Sequence, residues 1–154
     1  MNILFVCLGN ICRSPTADGV FTQMVKEAGL FSKVHVDSAG TGSWHSGSAP
    51  DKRSQQAAKA RGYDLSKLRA RQVERDDFYE FDLILAMDGS NLRDLQELKP
   101  NHAKAEVDLF LRRYQISPFE VPDPYQGGAS GFEQVLDLIE AGSRALLNEV
   151  KQRL

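Results

Sequence analysis

The chain has 154 residues, 42% hydrophobic and 26% charged, so it can bury a core of its own and is neither disordered, collagen-like nor a disulfide scaffold. Its 19 Lys and Arg against 21 Asp and Glu leave a net charge of −2, which disfavours nucleic acid and anionic membrane surfaces as partners. Two cysteines make no disulfide framework, and with His35, His45 and His102 they make no zinc-ligand spacing. Met1–Val6 has no basic flank and too short an apolar run for a signal peptide, and no run approaches the roughly 20 apolar residues of a membrane helix. The expectation is one domain over residues 1–154, in the cytoplasm, with no metal and no membrane insertion.

Ile3-Leu4-Phe5-Val6 is a continuous apolar run, the pattern of a strand buried on both faces. Ser14-Pro15 predicts a helix start, with Ser as N-cap and Pro at the first helical position. Val20, Phe21, Met24, Val25 and Ala28 follow at helical spacing, and Gly29 supplies the stop. Val34–Val36 is the next strand, and Ser38–Pro50 a Gly- and Ser-rich loop. A second helix is expected from Ser48, with Asp51 completing a capping box, to Gly62. Phe81–Met87 reads as a strand, Asp88–Leu98 as a helix and Ala105–Leu109 as a further strand. The last helix is expected from a second capping box, Ser130 to Glu133, with Phe132, Val135, Leu136, Ile139, Leu146 and Leu147 on its apolar face. Strands alternating with helices imply an α/β sandwich with a mainly parallel sheet, whose ligand sites lie at the carboxyl ends of the strands.

The loop at the first such end reads Cys7-Leu8-Gly9-Asn10-Ile11-Cys12-Arg13-Ser14-Pro15. A turn from a buried strand into a helix N-terminus aims backbone N–H groups at one point and adds the helix dipole, which makes an anion cradle. Gly9 and Asn10 tolerate the left-handed backbone such a turn needs. Arg13 offers a planar fork suited to two oxygens of one phosphate. A field that binds a phosphate dianion also favours a thiolate at Cys7, so nucleophile and phosphorus would share one pocket. An isolated cysteine in such a turn is more often a small core residue. Cysteine at a strand end, five residues, then Arg-Ser and a helix start is far more specific. A Walker loop is excluded, because Gly-Lys-Ser/Thr is absent.

The run Val6 to Pro15 resembles the signature of the low-molecular-weight protein tyrosine phosphatases. Three further segments resemble that family in order: Val36-Asp37-Ser38-Ala39-Gly40-Thr41, then Ala86-Met87-Asp88 with Ser90 to Leu95, then Pro122-Asp123-Pro124-Tyr125. The resemblance spans essentially the whole chain. It implies a three-layer α/β sandwich, with a four-stranded parallel sheet flanked by helices and a phosphate-binding loop between strand 1 and helix 1. It implies no metal or organic cofactor. It assigns Cys7 as nucleophile and Arg13 as phosphate clamp, with backbone amides of Leu8, Gly9, Asn10, Ile11, Cys12 and Arg13 completing the cradle. Ser14 would hydrogen-bond the Cys7 sulfur, and Asn10 would hold the loop's backbone. Asp123 would be the general acid, stiffened between two prolines, although Asp-Pro by itself is a common turn pair. Trp44 and Tyr125 would flank the substrate ring; the alternative for Trp44 is an anchor of its loop to the core.

The implied activity is hydrolysis of phosphotyrosine and aryl phosphate monoesters through a phosphocysteine intermediate. The implied partners are phosphotyrosine proteins and the tyrosine kinase that makes them, with inorganic phosphate or other oxyanions as product and inhibitor. Cys12 lies near Cys7 across the loop, so a reversible Cys7–Cys12 disulfide is expected to protect the nucleophile. Two positions depart from the family's pattern: Leu68 stands where a histidine is common, beside the network expected around Asn10 and Ser38, and Gln126 where a second tyrosine is common. Arsenate reductases of this fold use further cysteines that the chain lacks. Bacterial protein-arginine phosphatases carry threonine where this chain has Ile11. A non-catalytic phosphotyrosine-binding module would need neither Cys7 nor Asp123. The charged stretch Arg69–Arg75 reads as solvated surface, and the loop of His45, Gly47 and Ser48 as a tuner of substrate choice.

Overall fold

Ile3, Leu4, Phe5 and Val6 are completely buried, as a strand covered on both faces requires. They form β1 (Asn2–Cys7), the second strand of a four-stranded sheet of order β2-β1-β3-β4. The other strands are β2 (His35–Gly40), β3 (Leu83–Ala86) and β4 (Glu106–Leu109), and every pairing is parallel. The computed structural model describes residues 1–125 and 128–154; Gln126, one of the two departures from the family pattern, lies outside them. Alternation along β1 sends Ile3, Phe5 and Cys7 into one core and Leu4 and Val6 into another. The first core packs Phe5 edge-on against Phe21 and Phe110, at 6.0 and 5.3 Å between ring centroids, and takes Val135, Leu136 and Ile139 from the last helix. The second takes Phe78, Leu92 and Leu95. The result is the expected three-layer sandwich.

Six helices complete the described chain: α1 (Arg13–Glu27), α2 (Lys52–Ala60), α3 (Asp77–Glu80), α4 (Gly89–Leu98), α5 (Phe110–Arg113) and α6 (Ala129–Arg153). Helix α1 ends as expected: Gly29 takes φ 74°, its N–H reaches Lys26 O and that of Leu30 reaches Val25 O, a Schellman closure. Its start differs. Cys12 is the N-cap and carries no side-chain cap bond, because the Ser14 hydroxyl is used elsewhere. Strand β2 runs past Val36 to Gly40, since Asp37 and Ser38, polar enough to read as loop, pair with Leu4 and Phe5. Helix α2 starts later than Ser48, and Asp51 is itself the cap, accepting from Arg53 and Ser54 N–H. The capping box expected at Ser130 is not formed: α6 begins at Ala129 after Gly128, and Glu133 pairs with Arg61 at 2.9 Å. A capping box that the sequence reading does not include forms at Asp88, reciprocated by Asn91. The one-turn helices α3 and α5 are too short to show a period. None of the described helices is long and apolar enough to cross a membrane.

Asp18 on α1 is buried, and its neighbours are hydroxyls of Thr22 and Ser38 and a second carboxylate, Asp37. Leu68 shares the surface depression beside it and supplies no charge. Burial, then the Asp37 charge, pushes the Asp18 carboxyl up to about 7. The folded state therefore holds a proton that the unfolded chain releases near the ordinary carboxylate value of 3.8. Stability falls as pH rises between those values, by an amount on the order of 4 kcal/mol once ionisation is complete. Asp18→Asn removes this penalty. The variant's melting temperature should exceed wild type by a margin that opens above pH 4 and levels off above about pH 7. A margin constant across that range would contradict the reading.

Candidate active site

The carboxyl end of β1 delivers Cys7 to the mouth of the sheet, where it pairs with Gly40 of β2. Gly40 is required by a close approach: a Cβ there would lie 2.7 Å from the Leu8 carbonyl. Between Cys7 and α1 the chain folds into a tight turn in which Asn10 takes the left-handed conformation, φ 58°. Gly9, expected to share that conformation, does not take it; what it supplies is space for His45, whose ring carbon would be 3.0 Å from a Cβ there.

Beneath the turn lies a buried polar network centred on Asn10. The Asn10 side-chain amide donates to Ser14 Oγ at 2.8 Å and to Ser38 Oγ at 3.0 Å, while its carbonyl accepts the Arg71 backbone N–H at 3.0 Å. With the Ser14 oxygen already accepting, its single hydroxyl proton has two acceptors in reach, Cys7 Sγ at 3.0 Å and the Ala39 carbonyl at 3.4 Å. The network thus places a hydroxyl donor beside the sulfur of its last member. Leu68 in the histidine position leaves the Asn10–Ser38 bond intact. Arg71 contributes through its backbone and is itself clamped by Asp37 at 3.2 Å and Asp77 at 3.0 Å, which corrects the reading of Arg69–Arg75 as wholly solvated surface. Its guanidinium is the counter-charge that holds the loop carrying that N–H against the turn.

Arg13 is 3% exposed, and its orientation is fixed from behind. One terminal nitrogen donates to Asp88 Oδ2 at 2.7 Å and to the Val121 carbonyl at 2.9 Å. The other lies 3.9 Å from Asp123 Oδ2. A buried guanidinium needs a carboxylate partner, and Asp88 is that partner as well as the cap of α4. The sequence reading placed Asp88 only at a helix start; the buried Arg13 was the signal that could have found it. Val121 lies just before the Pro122-Asp123-Pro124 segment, so Arg13 joins the anion cradle to the loop that carries Asp123. Asp123 is half-exposed, and its carboxylate accepts the Tyr125 N–H at 3.0 Å.

Cys7, Leu8, Gly9, Ile11, Cys12 and Arg13 floor a cleft of about 280 Å³, and Trp44, His45, Asp123 and Tyr125 wall it. Asn10 and Ser14, grouped by sequence with the phosphate-binding residues, are buried behind it and act through the backbone and sulfur. Trp44 is 71% exposed, so it is a wall and not an anchor to the core. Its ring sits on Gly42, where any Cβ would fall inside the indole. His45 lies tilted against the Tyr125 ring at 6.5 Å. Burial pushes the Cys12 thiol up to about 12, so Cys12 is a neutral thiol near neutral pH.

A cysteine at a strand end, a tight turn leading into a helix N-terminus and a back-anchored arginine make a site suited to binding an anion such as phosphate. Residues 2–154 match the family model described as low molecular weight phosphotyrosine protein phosphatase. A low molecular weight protein-tyrosine-phosphatase of Streptomyces coelicolor is 42% identical over 99% of this chain and 94% of its own. A crystal structure of a protein tyrosine phosphatase from Entamoeba histolytica superposes with a TM-score of 0.93 at 39% identity, covering 99% of this chain and 97% of that one. A Drosophila arginine phosphatase structure gives 0.92 at 33% identity, over 98% of both chains. The chain belongs to the low molecular weight phosphotyrosine protein phosphatase family, and its enzyme class is protein-tyrosine phosphatase.

Proposed function

We propose that the chain hydrolyses phosphotyrosine and aryl phosphate monoesters through a phosphocysteine intermediate, with Asp123 as general acid and then base. The observation that carries this reading is the 3.0 Å contact of Cys7 Sγ with Ser14 Oγ in a cleft shared with Arg13 and Asp123. The Cys7 thiolate attacks phosphorus in line as the bond from phosphorus to the aryl oxygen breaks. Asp123 gives its proton to that oxygen, which leaves as the phenol. Arg13 and the amides of the turn stabilise the charge spread over the equatorial oxygens. In the second step Asp123 accepts a proton from water as the water oxygen bonds to phosphorus. The sulfur–phosphorus bond breaks, inorganic phosphate leaves, and Ser14 steadies the returning thiolate.

Trp44 and Tyr125 both line the cleft that holds Cys7 and Arg13, and two aromatic walls suit a phenyl ring between phosphate and peptide. Shorter phosphoserine would not bring its backbone past them. We also propose that the enzyme acts in the cytoplasm on proteins phosphorylated by a tyrosine kinase, the setting that two free, buried cysteines fit. Peroxide would convert the Cys7 thiolate to the sulfenic acid with release of hydroxide, which takes up a proton from solvent to become water. Attack by Cys12 sulfur would then form the Cys7–Cys12 disulfide and release a second water. The neutral Cys12 thiol makes that second step slower at neutral pH than at alkaline pH. Peroxide-inactivated enzyme without this linkage by mass spectrometry would remove the redox proposal.

The substrate reading is tested by phosphate release from matched phosphotyrosine, phosphoarginine and phosphoserine peptides. Fast release from phosphotyrosine alone is expected. Preference for phosphoarginine would keep the Cys7 and Arg13 chemistry and overturn the role given to Ile11 and the aromatic walls. No release from any peptide would favour a binding module.

A further inference from the structure

Arg53 lies outside the cradle, on the first turn of α2, yet it touches Tyr125 of the acid loop, the helix that follows that loop and the cap of its own helix. Its guanidinium donates to the Tyr125 carbonyl at 2.6 Å and lies 5.6 Å from the centre of the Tyr125 ring and 4.8 Å from that of Phe132 on α6. On its other side it donates to both oxygens of the Asp51 carboxylate, at 3.2 Å each. Asp51 in turn caps α2 and donates its own N–H to the Ile11 carbonyl of the phosphate-binding turn at 2.8 Å. Tyr125 is thus gripped at its carbonyl and over its ring, while its N–H holds the Asp123 carboxylate at 3.0 Å. One path of direct contacts runs from the cradle through Asp51 and Arg53 to the acid and the aromatic wall together.

We propose that Arg53 is a positioning residue that sets Tyr125 and the Asp123 carboxylate at a fixed distance from the phosphate-binding turn. This rests on the proposed role of Asp123 as general acid. Arg13 ties the same loop to the cradle at Val121, before the acid, and Arg53 ties it at Tyr125, after the acid, so the two arginines bracket Asp123. A planar fork serves here where a lysine would not, because one guanidinium must meet a carboxylate, a carbonyl and two ring faces.

The test is steady-state kinetics of Arg53→Ala and Arg53→Lys with phenyl phosphate and p-nitrophenyl phosphate, beside inhibition by inorganic phosphate and a melting curve. In Arg53→Ala, kcat/KM for phenyl phosphate should fall about tenfold, the scale of one lost hydrogen bond and one cation–π contact. The fall should be smaller for p-nitrophenyl phosphate, whose better leaving group depends less on the acid. Inhibition by inorganic phosphate should be unchanged, because the cradle is untouched. Arg53→Lys keeps a charge over the rings without the fork, and should fall between. Equal losses for both substrates with weakened phosphate inhibition would indicate a general structural role and overturn the proposal, as would no loss in either. Asp123→Ala measured in parallel separates the layers. A slow Asp123→Ala beside an unaffected Arg53→Ala overturns only the positioning role, whereas an unaffected Asp123→Ala overturns the acid on which it rests.

Discussion

Cys7→Ser should abolish phosphate release from phosphotyrosine peptides, by about four decades or more, while inorganic phosphate still binds. The two halves of this expectation come from different atoms. The cradle is backbone and Arg13, and neither changes when sulfur becomes oxygen. The proposed nucleophile is the sulfur, 3.0 Å from the Ser14 hydroxyl, and the alcohol that replaces it in the variant is far less acidic than a thiol. Retained phosphate binding, read by calorimetry or by protection against heat, distinguishes loss of the nucleophile from loss of the fold. Measurable turnover in the variant would move the nucleophile elsewhere.

The second large effect belongs to Asp123. Asp123→Ala should slow turnover by roughly two to four decades, the usual range for acid–base residues, with phosphate binding nearly intact. The carboxylate is half-exposed and lies 3.9 Å from Arg13, close enough to reach the edge of a bound phosphoryl group without filling the cradle. Because the same group is proposed as acid and then base, its loss should slow both formation and breakdown of the proposed phosphoenzyme. The loss should be steepest for substrates with poor leaving groups. Wild-type rates with phenyl phosphate would contradict the assignment.

Much of the site was legible because its chemistry is local in sequence. Cys7 to Pro15 carries the proposed nucleophile, cradle and clamp within a single strand–turn–helix, and the buried run Ile3–Val6 before it fixes which end of the sheet it occupies. Asp123 was legible only through the resemblance, since Asp-Pro by itself is a turn. What escaped was long-range. Asp88 supports Arg13 from 75 positions away, and Arg53 grips Tyr125 from 72. No periodicity or capping rule connects such pairs.

Several errors in the fold share one cause, polar residues whose local preference was overridden by another partner. Ser14 looked like a helix cap, but its hydroxyl is drawn to Cys7 and Asn10. Glu133 looked like the far half of a capping box, but Arg61 takes its carboxylate. Asp37 and Ser38 looked like loop, yet they sit in β2, where one meets Arg71 and the other Asn10. Arg71 looked like solvated charge and is instead held by two carboxylates. Apolar periodicity located the strands and long helices; it carries no information about which polar group a hydroxyl or carboxylate will find.

The most direct test of the central claim is a rapid-quench experiment with a phosphotyrosine peptide, read by intact-protein and peptide mass spectrometry. The account predicts a burst of dephosphorylated peptide and a transient enzyme species heavier by one phosphoryl group, mapped to Cys7 and absent in Cys7→Ser. Turnover without any covalent phosphoenzyme, or a phosphoryl group mapped to another residue, would contradict it.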